Sequence, residues 1–136
     1  MKIRIVADTN IFISGIFWVG NFSSQVIELW RRGKIELVTS LPIVEEIVRN
    51  LRGFKIRMNE ESVKEWEQII LENAILVEPL EKIEAIKDDP TDNKFLEASI
   101  AGNAEYIITR DRHLLKLKEH NGIKIMTPEE FLKICL

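Results

Sequence analysis

The sequence predicts an α/β fold in which a central, mostly parallel five-stranded sheet is covered by helices on both faces. Two patterns carry the prediction. Five short apolar runs, residues 3–7, 35–38, 74–77, 106–109 and 123–125, have the length and hydrophobicity of strands buried on both sides. Each is followed by a stretch with helical signals, and such alternation is the mark of a parallel sheet. At 136 residues, with 46% hydrophobic and 30% charged residues, the chain suits a single ordinary core. No repeat, linker or low-complexity segment divides it, so one domain over residues 1–136 is expected.

The helices are read from spacing and caps. Phe22, Val26, Leu29 and Trp30 repeat at helical spacing over residues 22–32, and Gly33 is the stop. Ser40 is expected to cap a helix with Leu41, Val44, Ile47, Val48 and Leu51 on one face, ended by Gly53. Asn59 caps the next, with Glu60 and Glu61 in its first turn and Val63, Trp66 and Ile70 as its apolar stripe. Ile83, Glu84 and Ala85 are expected in a short helix. Asp92 is expected to cap residues 93–101, which Gly102 ends, and a further helix should run from Asp111 to about Glu119. Thr127-Pro128-Glu129-Glu130 is a capping box with proline at the first helical position.

Composition excludes several classes of function. No apolar run approaches the roughly 18 residues that span a bilayer, and the start of the chain lacks the pattern of a signal peptide. One cysteine, Cys135, excludes an internal disulfide and a sulfur-ligand metal site, and a cytoplasmic protein is the plain expectation. His113 and His120 are too few for a zinc site. A net charge of −3 gives no bulk attraction for nucleic acid. Positive charge is local instead, in Arg31, Arg32 and Lys34 and in Arg49, Arg52, Lys55 and Arg57; either cluster alone reads as a solvated helix end.

The acids are more informative. Asp8 follows the first strand, Asp111 follows the fourth, Asp92 opens a helix, and Glu46 lies in the amphipathic stretch from Ser40 to Leu51. In open α/β sheets, ligands bind beyond the carboxyl ends of the strands. If the first and fourth strands are neighbours, Asp8 and Asp111 meet there. Carboxylates gathered in one cleft must protonate, pair with a base or hold a metal. With no lysine or arginine clearly placed to neutralise them all, a hard divalent cation with oxygen ligands is the economical answer. Asp92 or Asp111 alone also reads as a helix cap, and Glu46 alone as a solvated helix residue. Asp8, after a buried strand, is harder to explain that way. Periodicity does not choose between Glu45 and Glu46, since both lie off the apolar stripe.

Asp8-Thr9-Asn10, the spacing from Ser40 to Glu46, Asp89-Pro90-Thr91-Asp92-Asn93-Lys94-Phe95 and Thr109-Arg110-Asp111 together resemble the ordered motifs of PIN-domain ribonucleases. The resemblance spans essentially the whole chain and is greatest to the stand-alone, VapC-like toxin components of toxin–antitoxin pairs. It implies a three-layer α/β/α sandwich with a pocket for Mg²⁺ or Mn²⁺ and cleavage of single-stranded RNA to 5′-phosphate and 3′-hydroxyl ends. Position by position, it implies that Asp8, Glu46, Asp92 and Asp111 are the catalytic and metal-binding acids, supported by Asn10 and Thr109. It selects Glu46 over Glu45, because the family's glutamate lies six residues after a serine. His113 stands where many members carry a further acid, and Asp89 is either a substitute for it or a turn residue before Pro90.

RNA needs cations beside such a pocket. Arg49, Arg52, Lys55 and Arg57 are the expected phosphate contacts, with Arg110 at the rim. Phe12, Ile16, Phe17, Trp18 and Val19 form an apolar stretch too long for an exposed loop. Part should enter the core, and Phe17 and Trp18 are expected to pair two copies into a homodimer. An antitoxin protein is a possible partner, and no membrane is involved. The alternatives are a housekeeping RNA-processing PIN nuclease, an aspartate-based phosphoryl-transfer protein with Asp8 as nucleophile, or a non-catalytic RNA-binding module.

Overall fold

The computed structural model describes residues 2–53, 58–86 and 90–135. In chain order the elements are β1 (Arg4–Ala7), α1 (Thr9–Phe17), α2 (Phe22–Arg31), β2 (Glu36–Thr39), α3 (Leu41–Gly53), α4 (Glu60–Asn73) and β3 (Ile75–Leu76). A 3-10 turn (Pro90–Asp92) then leads to α5 (Asn93–Ala101), β4 (Tyr106–Ile108), α6 (Arg112–Leu117), β5 (Glu119–His120), β6 (Ile123–Met126) and α7 (Pro128–Cys135). The sheet order is β3-β2-β1-β4-β6-β5, parallel throughout except where β5 runs against β6. Ile5, Val6 and Ala7 point alternately to opposite faces, yet all three are buried. Both faces of the sheet are therefore covered, as the sequence predicts.

The register fixes what happens at the carboxyl edge. β1 is central and pairs with β4 so that Ala7 lies opposite Ile108. The Asp8 N–H then donates to the Ile108 carbonyl at 3.1 Å. Asp8 and Thr109, the residues that follow each strand, are thereby neighbours. On one face α5 crosses β1, β2 and β4. Its end comes so close to β2 that a Cβ on Gly102 would lie 2.4 Å from Cγ1 of Val38. Elsewhere α2 packs between α1 and α7, with Phe12 edge-on to Trp30 at 5.8 Å between ring centres.

Four features differ from the sequence reading. The sheet has six strands, not five, because α6 stops at Leu117 and the chain turns back as β5. Lys118 takes a left-handed φ of 61°, and Asn121 and Gly122 follow with φ of 51° and 81°. A two-residue turn of that hand is the tight hairpin connection that asparagine–glycine favours. Residues 83–85 form no helix. Ile83 N–H donates to Oε2 of Glu97 at 2.9 Å, and the Asn93 amide bonds both the N–H and the carbonyl of Ile86 at 2.8 and 3.0 Å. Side chains of α5 thus take the backbone groups that a helix would use. Residues 9–17 are helical, with Asp8 as cap. Finally, Ser40 precedes α3 without capping it through its side chain: its hydroxyl is buried with no hydrogen-bond partner among the described residues. The caps at Asn59 and Thr127 are formed as expected.

Candidate functional site

Asp8 is the most constrained acid. It is 4% exposed. Oδ1 accepts the Ile11 N–H at 3.0 Å, which starts α1, and Oδ2 accepts the Thr109 hydroxyl. Burial pushes its pKa up to about 6 against the pull of those hydrogen bonds, and the charge of Asp111 adds to the rise. Thr109 is fully buried and joins the two acids, donating to Asp8 and accepting the Asp111 N–H at 2.9 Å. Asp111 is half-buried and caps α6, with Oδ1 accepting the His113 N–H at 2.7 Å. The Asn10 side chain is exposed and makes no hydrogen bond among the described residues; that residue helps Asp8 through its backbone N–H.

A second pair lies between α3 and α5. Glu46 is half-buried, whereas Glu45 is exposed, so burial separates the two residues that periodicity left open. The Glu46 carboxylate forms an ion pair with Lys94. Glu46, Arg49, Asn50, Thr91 and Lys94 line a cleft of 520 Å³. Asp92 is buried at the junction of the 3-10 turn and α5. It occupies the cap position with helical backbone angles, and its side chain makes no capping hydrogen bond, contrary to the sequence expectation. Capping therefore does not explain this acid.

The structure links Asp8 to Asp111, and Glu46 to Lys94. Among the described residues, no three acidic, histidine or cysteine side chains come together as a ready-made metal cluster. What the carboxyl edge offers is oxygen: the mutually repelling carboxylates of Asp8 and Asp111, bridged by the Thr109 hydroxyl. That donor set fits a hard cation that keeps several waters, and does not fit a soft metal.

The expected RNA contacts are unequal. Arg49 is exposed at the cleft and makes no ion pair among the described residues. Arg52 is held by both oxygens of Glu60, at 3.1 and 2.6 Å. Arg110 is held by Glu129, with Nη1 3.0 Å from Oε2. Lys55, Arg57 and Asp89 lie outside the described residues. Sequence reasoning passed over Lys94. The signal was a lysine in the first turn of a helix, where the dipole disfavours a cation.

Comparison with known proteins agrees with this architecture. A PIN-domain family model matches residues 4–113. The chain is 28% identical over 144 residues to the uncharacterized protein MJ1680 of Methanocaldococcus jannaschii, covering 98% of this chain and 92% of that one. Among solved structures it is similar to VapBC2 from Rickettsia felis bound to a DNA fragment from their promoter, with a TM-score of 0.59 and 15% identity. That likeness covers 90% of this chain and 97% of the other, and shows a shared fold.

Proposed function

The chain belongs to the PIN-domain family, and from that premise we propose that it is a Mg²⁺- or Mn²⁺-dependent endoribonuclease acting on single-stranded RNA. The observation that carries the reading is the buried Asp8, joined to Asp111 through Thr109 and destabilised there by its own burial. A carboxylate kept in such a place without a basic partner is suited to a cation from outside. Asp8 and Asp111 would hold the ion, directly or through water, with Asp92 and Glu46 beside them. When bound, the ion would supply Lewis acidity and lower the pKa of a water bound to it toward neutrality.

The protein's own groups do the rest. Thr109 fixes the Asp8 carboxylate and the start of α6 with one hydroxyl, so both acids keep their orientation without metal. The Ile11 N–H at the start of α1 favours an anionic Asp8. Arg49 stands at the cleft to bind a flanking phosphate, a contact that positions the backbone and reads no sequence.

The toxin–antitoxin reading is supported by the likeness to VapBC2. Of the two residues expected at the homodimer face, Phe17 is half-buried against the core and Trp18 is 46% exposed, so the proposed face centres on Trp18 with Val19, beside a groove of 720 Å³ lined in part by Ile16, Leu29, Trp66 and Leu132. Light scattering at micromolar concentration tests it: twice the chain mass is expected, and a monomer would count against it. The nuclease reading is tested with labelled single-stranded RNA in Mn²⁺, Mg²⁺ or EDTA. Cleavage is expected only with a divalent ion. Cleavage in EDTA, or none under any condition, would remove the reading.

A further inference from the structure

We propose that Lys94 is a substrate-contacting cation: at rest its ammonium neutralises Glu46, and with RNA bound it turns to a phosphate and leaves Glu46 to the divalent ion. This rests on the nuclease reading above. Lys94 sits in the first turn of α5, where the positive end of the helix repels a cation. Only 15% of its side chain is exposed, so lost hydration adds to the cost. Three groups hold it there: the Glu46 carboxylate, the Thr91 carbonyl at 2.8 Å, and the face of Phe95, whose ring centre is 4.8 Å away. A lysine that merely covered apolar surface would extend its ammonium into water.

Its place also points to a use. Lys94 and Arg49 line the same cleft as Glu46, one of the acids proposed to serve the metal. A polyanion entering beside carboxylates needs a fixed positive charge near the cleaved bond. An ammonium has three donors and no preferred plane. It can keep Thr91 and Phe95 while moving one donor from Glu46 to a phosphate oxygen. Until then, it withholds Glu46 from the divalent ion. Removing the ammonium should therefore act in opposite directions on the two ligands: metal binds more tightly and RNA more weakly. A purely structural lysine would not produce that split.

The experiment compares wild type, Lys94→Met and Lys94→Arg. Mn²⁺ affinity is measured by titration calorimetry without RNA. Affinity for a labelled oligouridylate is measured by anisotropy across a salt series, with Ca²⁺ in place of Mg²⁺. Lys94→Met should bind Mn²⁺ about 5-fold more tightly, the order of one partly exposed charge pair. It should bind RNA about 10-fold more weakly, with the salt slope reduced by about 0.7, the value for one lost single-strand phosphate contact. Lys94→Arg should keep most of the RNA affinity. Lys94→Gln, whose amide can still reach Thr91, replaces Lys94→Met if that variant does not fold. Unchanged or weaker Mn²⁺ binding, or unchanged RNA affinity and slope, overturns this inference alone. Wild type that binds no Mn²⁺ overturns the nuclease reading and this inference with it.

Discussion

Asp8 beside Asp111 and Glu46 beside Lys94 balance their charge differently. Glu46 has its cation built into the chain. Asp8 has a threonine hydroxyl, a backbone N–H and a second carboxylate. The first arrangement is near neutral as it stands. The second carries its charge at a cost in stability, which an arriving cation would relieve. The difference separates a part of the site that can wait folded from a part that calls for a ligand.

The largest effect is expected at Asp8. Asp8→Asn keeps the shape and removes the charge, so RNA cleavage should fall by about 1,000-fold or more, the scale of losing a principal electrostatic group. Single-turnover cleavage of labelled RNA measures it. A loss under tenfold would mean that the Asp8 half is not the reacting half.

The next concerns pH. Asp8 has a folded pKa of about 6, raised from 3.8 by burial. For an acid raised in this way, stability is fully present below the unfolded value and is lost as pH rises through the folded one. In EDTA, wild type should therefore lose about 2 kcal/mol relative to Asp8→Asn between pH 4 and pH 7. Urea unfolding of both proteins across that range reads the difference directly. Mn²⁺ should reverse it, because only the charged carboxylate holds the ion.

Thr109→Val tests the link between the acids. It strips a donor from buried Asp8 and an acceptor from the Asp111 N–H. A loss of about 1–3 kcal/mol in urea unfolding is expected. Full stability would show that the hydroxyl is not the joint. The smallest effect separates two arginines. Arg49→Ala should reduce the salt slope of RNA binding by about 0.7, while Arg52→Ala, already committed to Glu60, should leave it unchanged. Equal slopes in the two variants would erase the distinction.

Much of this frame is visible in the sequence because burial on both faces leaves unbroken apolar runs, as at Ile5-Val6-Ala7. The place of Asp8 and Asp111 follows from strand ends alone once β1 and β4 are neighbours. What was hidden depends on distant partners or on competing signals. The helix at residues 9–17 is apolar on several sides, with Ile11, Phe12 and Ile13 all buried, so it has no clean polar face to announce it. The β5–β6 hairpin was signalled by Asn121-Gly122, but the charged residues before it read as a continuing helix. Residues 83–86 are shaped by Asn93 and Glu97, which no local pattern reveals. The partner of Lys94 lies on another helix, so its ion pair is a product of the fold.

In this reading the Asp8–Asp111 half takes its balancing charge from a divalent cation. Titration calorimetry of Mn²⁺ into metal-free wild type and Asp8→Asn at pH 7.5 tests it most directly, with circular dichroism confirming that both are folded. Saturable binding by wild type, weakened about 100-fold or more in Asp8→Asn, is the predicted result. Equal Mn²⁺ affinity in the two folded proteins would contradict it.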